Sequence, residues 1–183
     1  IVIGNKNIIN VLRNKKTKPI VYYIYTTLVY GFSNKLLNEK SKTTPLSNYS
    51  KFKRISELQY LKSNLNFKIL RVANIYSLNK NGIIKYLINC FFSKKKLSIT
   101  NINAYRNYIH VDDFTNIIKK MLKIKLIHNT YNLGYENFKI QGLIRLIEKK
   151  FKIKFNYKNE NCKLSKVSSQ KIRRPRLLSE IKY

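Results

Sequence analysis

The run Ile20-Val21-Tyr22-Tyr23-Ile24-Tyr25 constrains this chain most: it is continuously apolar, follows Pro19 and is closed by the hydroxyls of Thr26 and Thr27. A strand with one wet face alternates apolar and polar side chains, so an unbroken run points to a strand covered on both faces, as in a parallel sheet between helices. The flanking patterns agree. Residues 1–14 read as a helix with Ile8, Ile9 and Leu12 on one face, and a second helix is expected from Ser47 or Asn48, with Phe52, Ile55, Leu58 and Leu61 stepping down one side. Residues 67–72 form another continuous strand and residues 82–92 a helix; short strands are expected at 97–100 and 107–111. Asp112 or Asp113 is placed to cap a helix striped by Phe114, Ile117, Ile118, Met121 and Leu122. A strand at 131–133 ended by Gly134, a helix through Leu143, Ile144, Ile147 and Phe151, and a strand at 152–157 complete the pattern. Such alternation implies a right-handed α/β fold.

The length of 183 residues with 44% hydrophobic residues suffices for one ordinary core. No apolar run reaches the ~20 residues that span a bilayer, so no membrane partner is expected. Cys90 and Cys162 offer neither CxxC spacing nor a disulfide framework, which points to a reducing cytoplasm. The net charge of +30 first suggests a nucleic-acid surface. Yet the chain holds 30 Lys, 25 Ile and 23 Asn against 2 Ala, 5 Gly, 3 Pro and no Trp, the profile of AT-rich codons. The lysines are scattered, the longest run being Lys94-Lys95-Lys96. The charge therefore reads as compositional background, with a basic nucleic-acid-binding domain as an alternative. His110 reads as packed in its strand and His128 as a loop residue; no residues have metal-ligand spacing.

Tyr49 and Lys53 form Y-x-x-x-K, which on a helix places both on one face. An ammonium beside a phenol favours the phenolate, which can then act as a general base toward a hydroxyl. The spacing recurs at Tyr76/Lys80 and Tyr135/Lys139, but only Tyr49/Lys53 opens a helix after a strand that ends in a hydroxyl. Thr26, at that strand's C-terminal end, lies where open α/β sheets bind ligands.

Taken together, residues 26–31 and 49–53 resemble the catalytic segments of the extended short-chain dehydrogenase/reductases, the NAD-dependent epimerase/dehydratase family of nucleotide-sugar enzymes. Residues 69–76 (Ile-Leu-Arg-Val-Ala-Asn-Ile-Tyr) resemble its LRxxNxYG strand, residues 105–113 its xRDYIHVDD segment, and residues 131–134 its YNLG. The resemblance implies an α/β fold: the C-terminal part of a Rossmann-like doubly wound parallel sheet, with a small α/β substrate-binding subdomain. Residues 1–80 would be the second half of the dinucleotide domain and residues 81–183 mainly the subdomain, with segments near 105–133 returning to the sheet.

It also implies roles. Thr26, Tyr49 and Lys53 would be catalytic: Thr26 bonding the reacting sugar hydroxyl, Tyr49 exchanging its proton, and Lys53 holding the nicotinamide ribose. Tyr49, Lys53 and Ala73 would face NAD or NADP, while Thr27, Asn74 and Arg106 would bind a nucleotide sugar, with Arg106 on a phosphate. A homodimer through helices 1–14 and 49–65 is implied, with Ile8 and Leu12 facing outward. An enzyme follows, an epimerase or reductase; a relative that binds the nucleotide sugar without catalysis is the other family reading. The departures are Tyr76-Ser77-Leu78 for Tyr-Gly-Pro, Phe52 for a small residue, Asn107 for Asp, and Thr27-Leu28 where the family's dehydratases carry Asp-Glu. The last disfavours dehydration. The glycines at 4, 31, 82, 134 and 142 form no G-x-x-G-x-x-G, so the expectation is a chain lacking roughly the first 90–100 residues of the family pattern and cut shortly before its end. Such a chain is expected to be inactive alone, poorly soluble and unable to bind the dinucleotide.

Overall fold

A computed structural model describes residues 1–77, 82–160, 170–173 and 177–180. In chain order the elements are α1 (Val2–Arg13), β1 (Val21–Thr26), a 3-10 turn (Thr27–Tyr30), β2 (Leu36–Leu37), α2 (Asn48–Leu61), β3 (Phe67–Val72), β4 (Asn74–Tyr76), α3 (Ile83–Phe92), β5 (Leu97–Thr100), β6 (Tyr105–His110), α4 (Val111–Met121), β7 (Thr130–Leu133), β8 (Glu136–Lys139), α5 (Ile140–Phe151), β9 (Tyr157–Glu160), β10 (Lys171–Ile172) and α6 (Leu177–Glu180).

The continuous apolar strand and the strands read at 67–72 and 131–133 pair as expected: β1, β3 and β7 form a parallel sheet in that order. β3 is buried at every position. Its alternation sorts the layers, because Phe67 and Ile69 join the cluster under α1 and α2 (Ile9, Tyr23, Tyr25, Tyr60), whereas Leu70 and Val72 join the cluster under α4 (Ile117, Met121, Tyr131, Leu133). A third cluster, with Leu87, Leu97, Ile99 and Ile144, lies among α3, β5 and α5. Beside it, β4 pairs parallel with β6, and β6 antiparallel with β8. No described helix is long and apolar enough to cross a membrane.

Several details depart from the sequence expectations. Neither aspartate caps α4: His110 does, its Nδ1 accepting the Asp112 N–H at 3.3 Å, and the aspartates occupy the first turn. His110 is thus both the last residue of β6 and the cap of α4, its ring edge-on to Tyr76 and its side chain 34% exposed where full packing was expected. Lys152 takes a left-handed conformation (φ 52°) at the end of α5, and the strand expected at 152–157 begins only at Tyr157, as β9. α1 separates Ile8 from its expected partners, since Ile9 is buried and Leu12 packs inward while Ile8 faces out. Along α2 the apolar stripe of Phe52, Ile55, Leu58 and Leu61 is exposed, and the buried side is Ser50, Ser56, Glu57 and Tyr60. Lys80, Leu78, Cys162 and residues 174–176 lie outside the described residues.

Candidate active site

The C-terminal ends of β1, β3 and β7 lie level, with Thr26 opposite Val72 and Val72 opposite Leu133. Ala73 continues that edge, its N–H donating to the Leu133 carbonyl at 2.7 Å. Thr26 leaves the strand in an extended conformation and its Oγ1 accepts the Leu28 N–H at 3.1 Å. That bond starts the 3-10 turn and leaves the hydroxyl hydrogen available. Thr27, first in the turn, is buried. Gly134 closes the edge at β7, where an added Cβ would sit 1.6 Å from Asn107 Oδ1 and 2.9 Å from the Ala73 Cβ. The tight Ala73–Gly134–Asn107 contact explains why small residues stand there.

Tyr49 lies in the first turn of α2, a turn fixed by reciprocal bonds: Ser50 N–H to Ser47 Oγ at 3.2 Å and Ser47 N–H to Ser50 Oγ at 3.1 Å. Tyr49 is 48% exposed, open to a reactant. Lys53 Nζ is 5.8 Å from the Tyr49 ring centre and 5.7 Å from that of Tyr23, so the expected shared face is realised with the ammonium between two rings.

What holds α2 in this rotation was missed in the sequence. Glu57, one turn beyond Lys53, is fully buried, accepts from Arg71 Nη2 at 2.6 Å and from the Tyr25 hydroxyl, and lies within ion-pair distance of Arg54 Nη1 at 2.8 Å. Arg71 also donates to Tyr25 at 3.0 Å, to Tyr30 at 2.6 Å and to the Glu39 carbonyl at 3.1 Å, and Tyr30 donates to Asn132 Oδ1 at 2.8 Å. Burial alone would lower the pKa of Arg71, but Tyr25, Tyr30 and Glu57 drive it above its ordinary value. Burial raises the phenols of Tyr25 and Tyr30, keeping them protonated as donors. The network ties α2 to β1, β3 and β7 with its charges compensated. Its only sequence signal was an acid four residues after Lys53 in a chain with eight acids.

One residue past Ala73 the chain enters a cavity of about 360 Å³ lined by Asn74, Tyr76, Ser77, Gly82, Lys85, Arg106 and Tyr108, among others. Asn74 and Arg106, 32 positions apart in the sequence, therefore meet here. Asn74 Nδ2 donates to the Asn107 carbonyl at 2.9 Å, locking β4 to β6. Arg106 Nη1 donates to the Tyr105 carbonyl at 3.1 Å; burial lowers its pKa, and no described carboxylate pairs with it. A dehydrated, unpaired guanidinium beside Lys85 suits an anion. Lys85, in the first turn of α3, was not anticipated; its only signal was its place three residues after Gly82.

For a dinucleotide, the described residues suit the nicotinamide-ribose end: Tyr49, Lys53 and the small Ala73. They do not suit the pyrophosphate, because the space beside Gly31 is taken by the Thr44 carbonyl and that beside Gly134 by Asn107. Among the described residues no three His, Cys, Asp or Glu cluster to hold a metal.

Residues 1–134 match the family described as the NAD dependent epimerase/dehydratase family. A dTDP-D-glucose 4,6-dehydratase of Dictyostelium discoideum is 32% identical over 162 residues, covering 78% of this chain and 37% of the relative. A GDP-6-deoxy-D-talose 4-dehydrogenase of Aggregatibacter actinomycetemcomitans is 26% identical over 154 residues, covering 78% of this chain and 52% of the relative. The chain thus spans between about a third and a half of these relatives' length. The fold is similar to that of UDP-glucuronic acid 4-epimerase from Bacillus cereus, solved with UDP-glucuronic acid and NAD, with TM-score 0.80, 19% identity, and coverage of 100% of this chain and 61% of that one.

Proposed function

The chain belongs to the NAD dependent epimerase/dehydratase family, and from that membership we propose that it carries the acid–base and substrate-binding part of a cytoplasmic NAD(P)-dependent epimerase or reductase acting on a nucleotide sugar. What supports this reading is that Thr26 and Ala73 close neighbouring strands of the parallel sheet, that Lys53 lies against the rings of Tyr49 and of Tyr23 on the Thr26 strand, and that a cavity with an unpaired guanidinium begins one residue past Ala73.

In this reading Thr26 donates its free hydroxyl hydrogen to the sugar oxygen, and Tyr49 takes the proton of the reacting hydroxyl. Lys53 stabilises the phenolate and bonds the nicotinamide ribose. The nicotinamide, when bound, supplies hydride acceptance and return. Arg106 and Lys85 hold the diphosphate, and Asn74, fixed against β6, sets its distance from the strand ends. Thr27 supports the substrate side from beneath. Thr27 and Leu28 stand where the family's dehydratases carry their acid and base, which disfavours water elimination and favours oxidation, reduction or epimerisation, although one relative is a dehydratase. We place a homodimer contact on α1 and α2.

Binding and turnover test separate parts of this reading. Arg106→Ala should weaken UDP-glucose binding about tenfold or more, on the scale of a charged hydrogen bond; an unchanged Kd in calorimetry removes the cavity from the proposal. With a family dinucleotide-binding half supplied, Tyr49→Phe should lower kcat at least ~10²-fold. Near-normal turnover would instead leave Tyr49 a surface residue, and no turnover in the unsubstituted protein would favour the binding-only relative.

A further inference from the structure

A second cavity of about 360 Å³ shares Tyr76, Ile84 and Tyr108 with the first and has opposite chemistry. Strand pairing explains its wall. Asn74 lies opposite Tyr108, Tyr76 opposite His110, Tyr108 opposite Glu136 and Arg106 opposite Phe138, so the two-residue period puts Tyr76, Tyr108, His110, Glu136 and Phe138 on one face of the β4–β6–β8 sheet, whose other end carries Asn74 and Arg106 toward the first cavity. Their rings form a ladder: Phe138 to Tyr108 at 6.5 Å, Tyr108 to Tyr76 at 6.3 Å and Tyr76 to His110 at 5.1 Å, the last two edge-on. Tyr135, 61% exposed, stands at the mouth.

The charges run against the composition. Lys and Arg number 38 in 183 residues, yet none is among the described residues lining this cavity. Two of the chain's eight acids, Asp113 and Glu136, are there, and neither forms an ion pair among the described residues. A neutral apolar guest would leave those carboxylates facing it without a counter-charge. A bare metal ion would not find its ligand set, because among the described residues no three His, Cys, Asp or Glu cluster closely enough to hold one. An organic cation answers both features, since ring faces attract a cation and its alkyl body covers the apolar wall.

We propose that this cavity binds a small organic cation, an alkylammonium group set against the Tyr76, Tyr108 and Tyr135 rings and neutralised by Asp113 and Glu136. The site shares a wall with the cavity of the nucleotide-sugar reading but needs neither dinucleotide nor sugar. The probe is choline, with its uncharged carbon isostere 3,3-dimethylbutan-1-ol as control, each titrated into the full chain and followed by tyrosine ring shifts in NMR. Choline should bind saturably and about tenfold or more tighter than the isostere. The double variant Asp113→Asn/Glu136→Gln changes two exposed side chains and should bring choline down to the isostere's level. Equal binding of the two probes, absence of saturable choline binding, or a double variant that still prefers choline would overturn the proposal. The first comparison needs no variant, so a folding defect cannot mask the result.

Discussion

Glu57 shows how much one side chain can decide. Substituting it by Ala leaves Arg71 charged, buried and short of its carboxylate, which should cost about 3–5 kcal/mol in urea unfolding, whereas removing a surface ion pair costs about 0–1. A loss below 1 kcal/mol would mean that Tyr25 and Tyr30 suffice to hold the cation. Tyr23, on the same face of β1, titrates differently from a free phenol: burial pushes its pKa up to about 12. A phenol raised in the folded state stabilises fully below its unfolded value of about 10 and loses that contribution as pH climbs toward 12. Tm should fall across that window, and Tyr23→Phe should flatten the fall; identical profiles would remove Tyr23 as a cause. At this scale the sequence was partly legible. Tyr49 and Lys53 are helical neighbours that spacing alone could pair, but Arg71 reaches Glu57 only once β3 lies beside β1, and nothing local announces that bond.

The same contrast holds for whole elements. Long strands and helices carry enough periods to be read, while β2, β4 and β10, of two or three residues, are too short for any period to register, and β8 (Glu136–Lys139) carries one apolar side chain, Phe138, and so no apolar alternation. α2 was read as a helix, but its stripe faces the opposite way from a monomer's expectation: Phe52, Ile55, Leu58 and Leu61 are each 39–49% exposed, and its inner side is serines and a charged network. On α1, Ile8 and Val11 lie at helical spacing and are also exposed, as is Ile1 at its N-cap. If two copies cover these stripes in a symmetric contact, Phe52→Glu with Leu58→Glu should produce monomers without loss of helix content. Light scattering that finds the unsubstituted chain monomeric at tens of micromolar would remove the dimer. Ser47→Ala should cost about 1 kcal/mol by freeing the first turn of α2, and a larger loss would show that this turn supports more than its own cap.

Over the whole molecule, a net charge of +30 loads the folded state with repulsion that salt relieves. Raising NaCl from about 20 to about 300 mM should therefore raise Tm; a fall would mean that the Glu57–Arg71 network, and not bulk repulsion, governs the balance. The parallel sheet is covered by two clusters, and a third packs among α3, β5 and α5. Hydrogen exchange should find β3 among the slowest-exchanging strands, because it is buried throughout and paired on both edges.

The tight corner at Gly134 has a counterpart in the history such a chain can have. Only two alanines occur in it, Ala73 and Ala104, and both are buried. Of its five glycines, Gly31 and Gly134 have no room for a methyl group, while Gly4, Gly82 and Gly142 face open space. Lysine, isoleucine and asparagine fill 78 of the 183 positions, and on the expectation that codon bias produced this profile, steric exclusion is a selection pressure that base composition should not override at positions 31, 73 and 134. Those three should remain small in homologues from GC-rich genomes as well, whereas positions 4, 82 and 142 are free to wander.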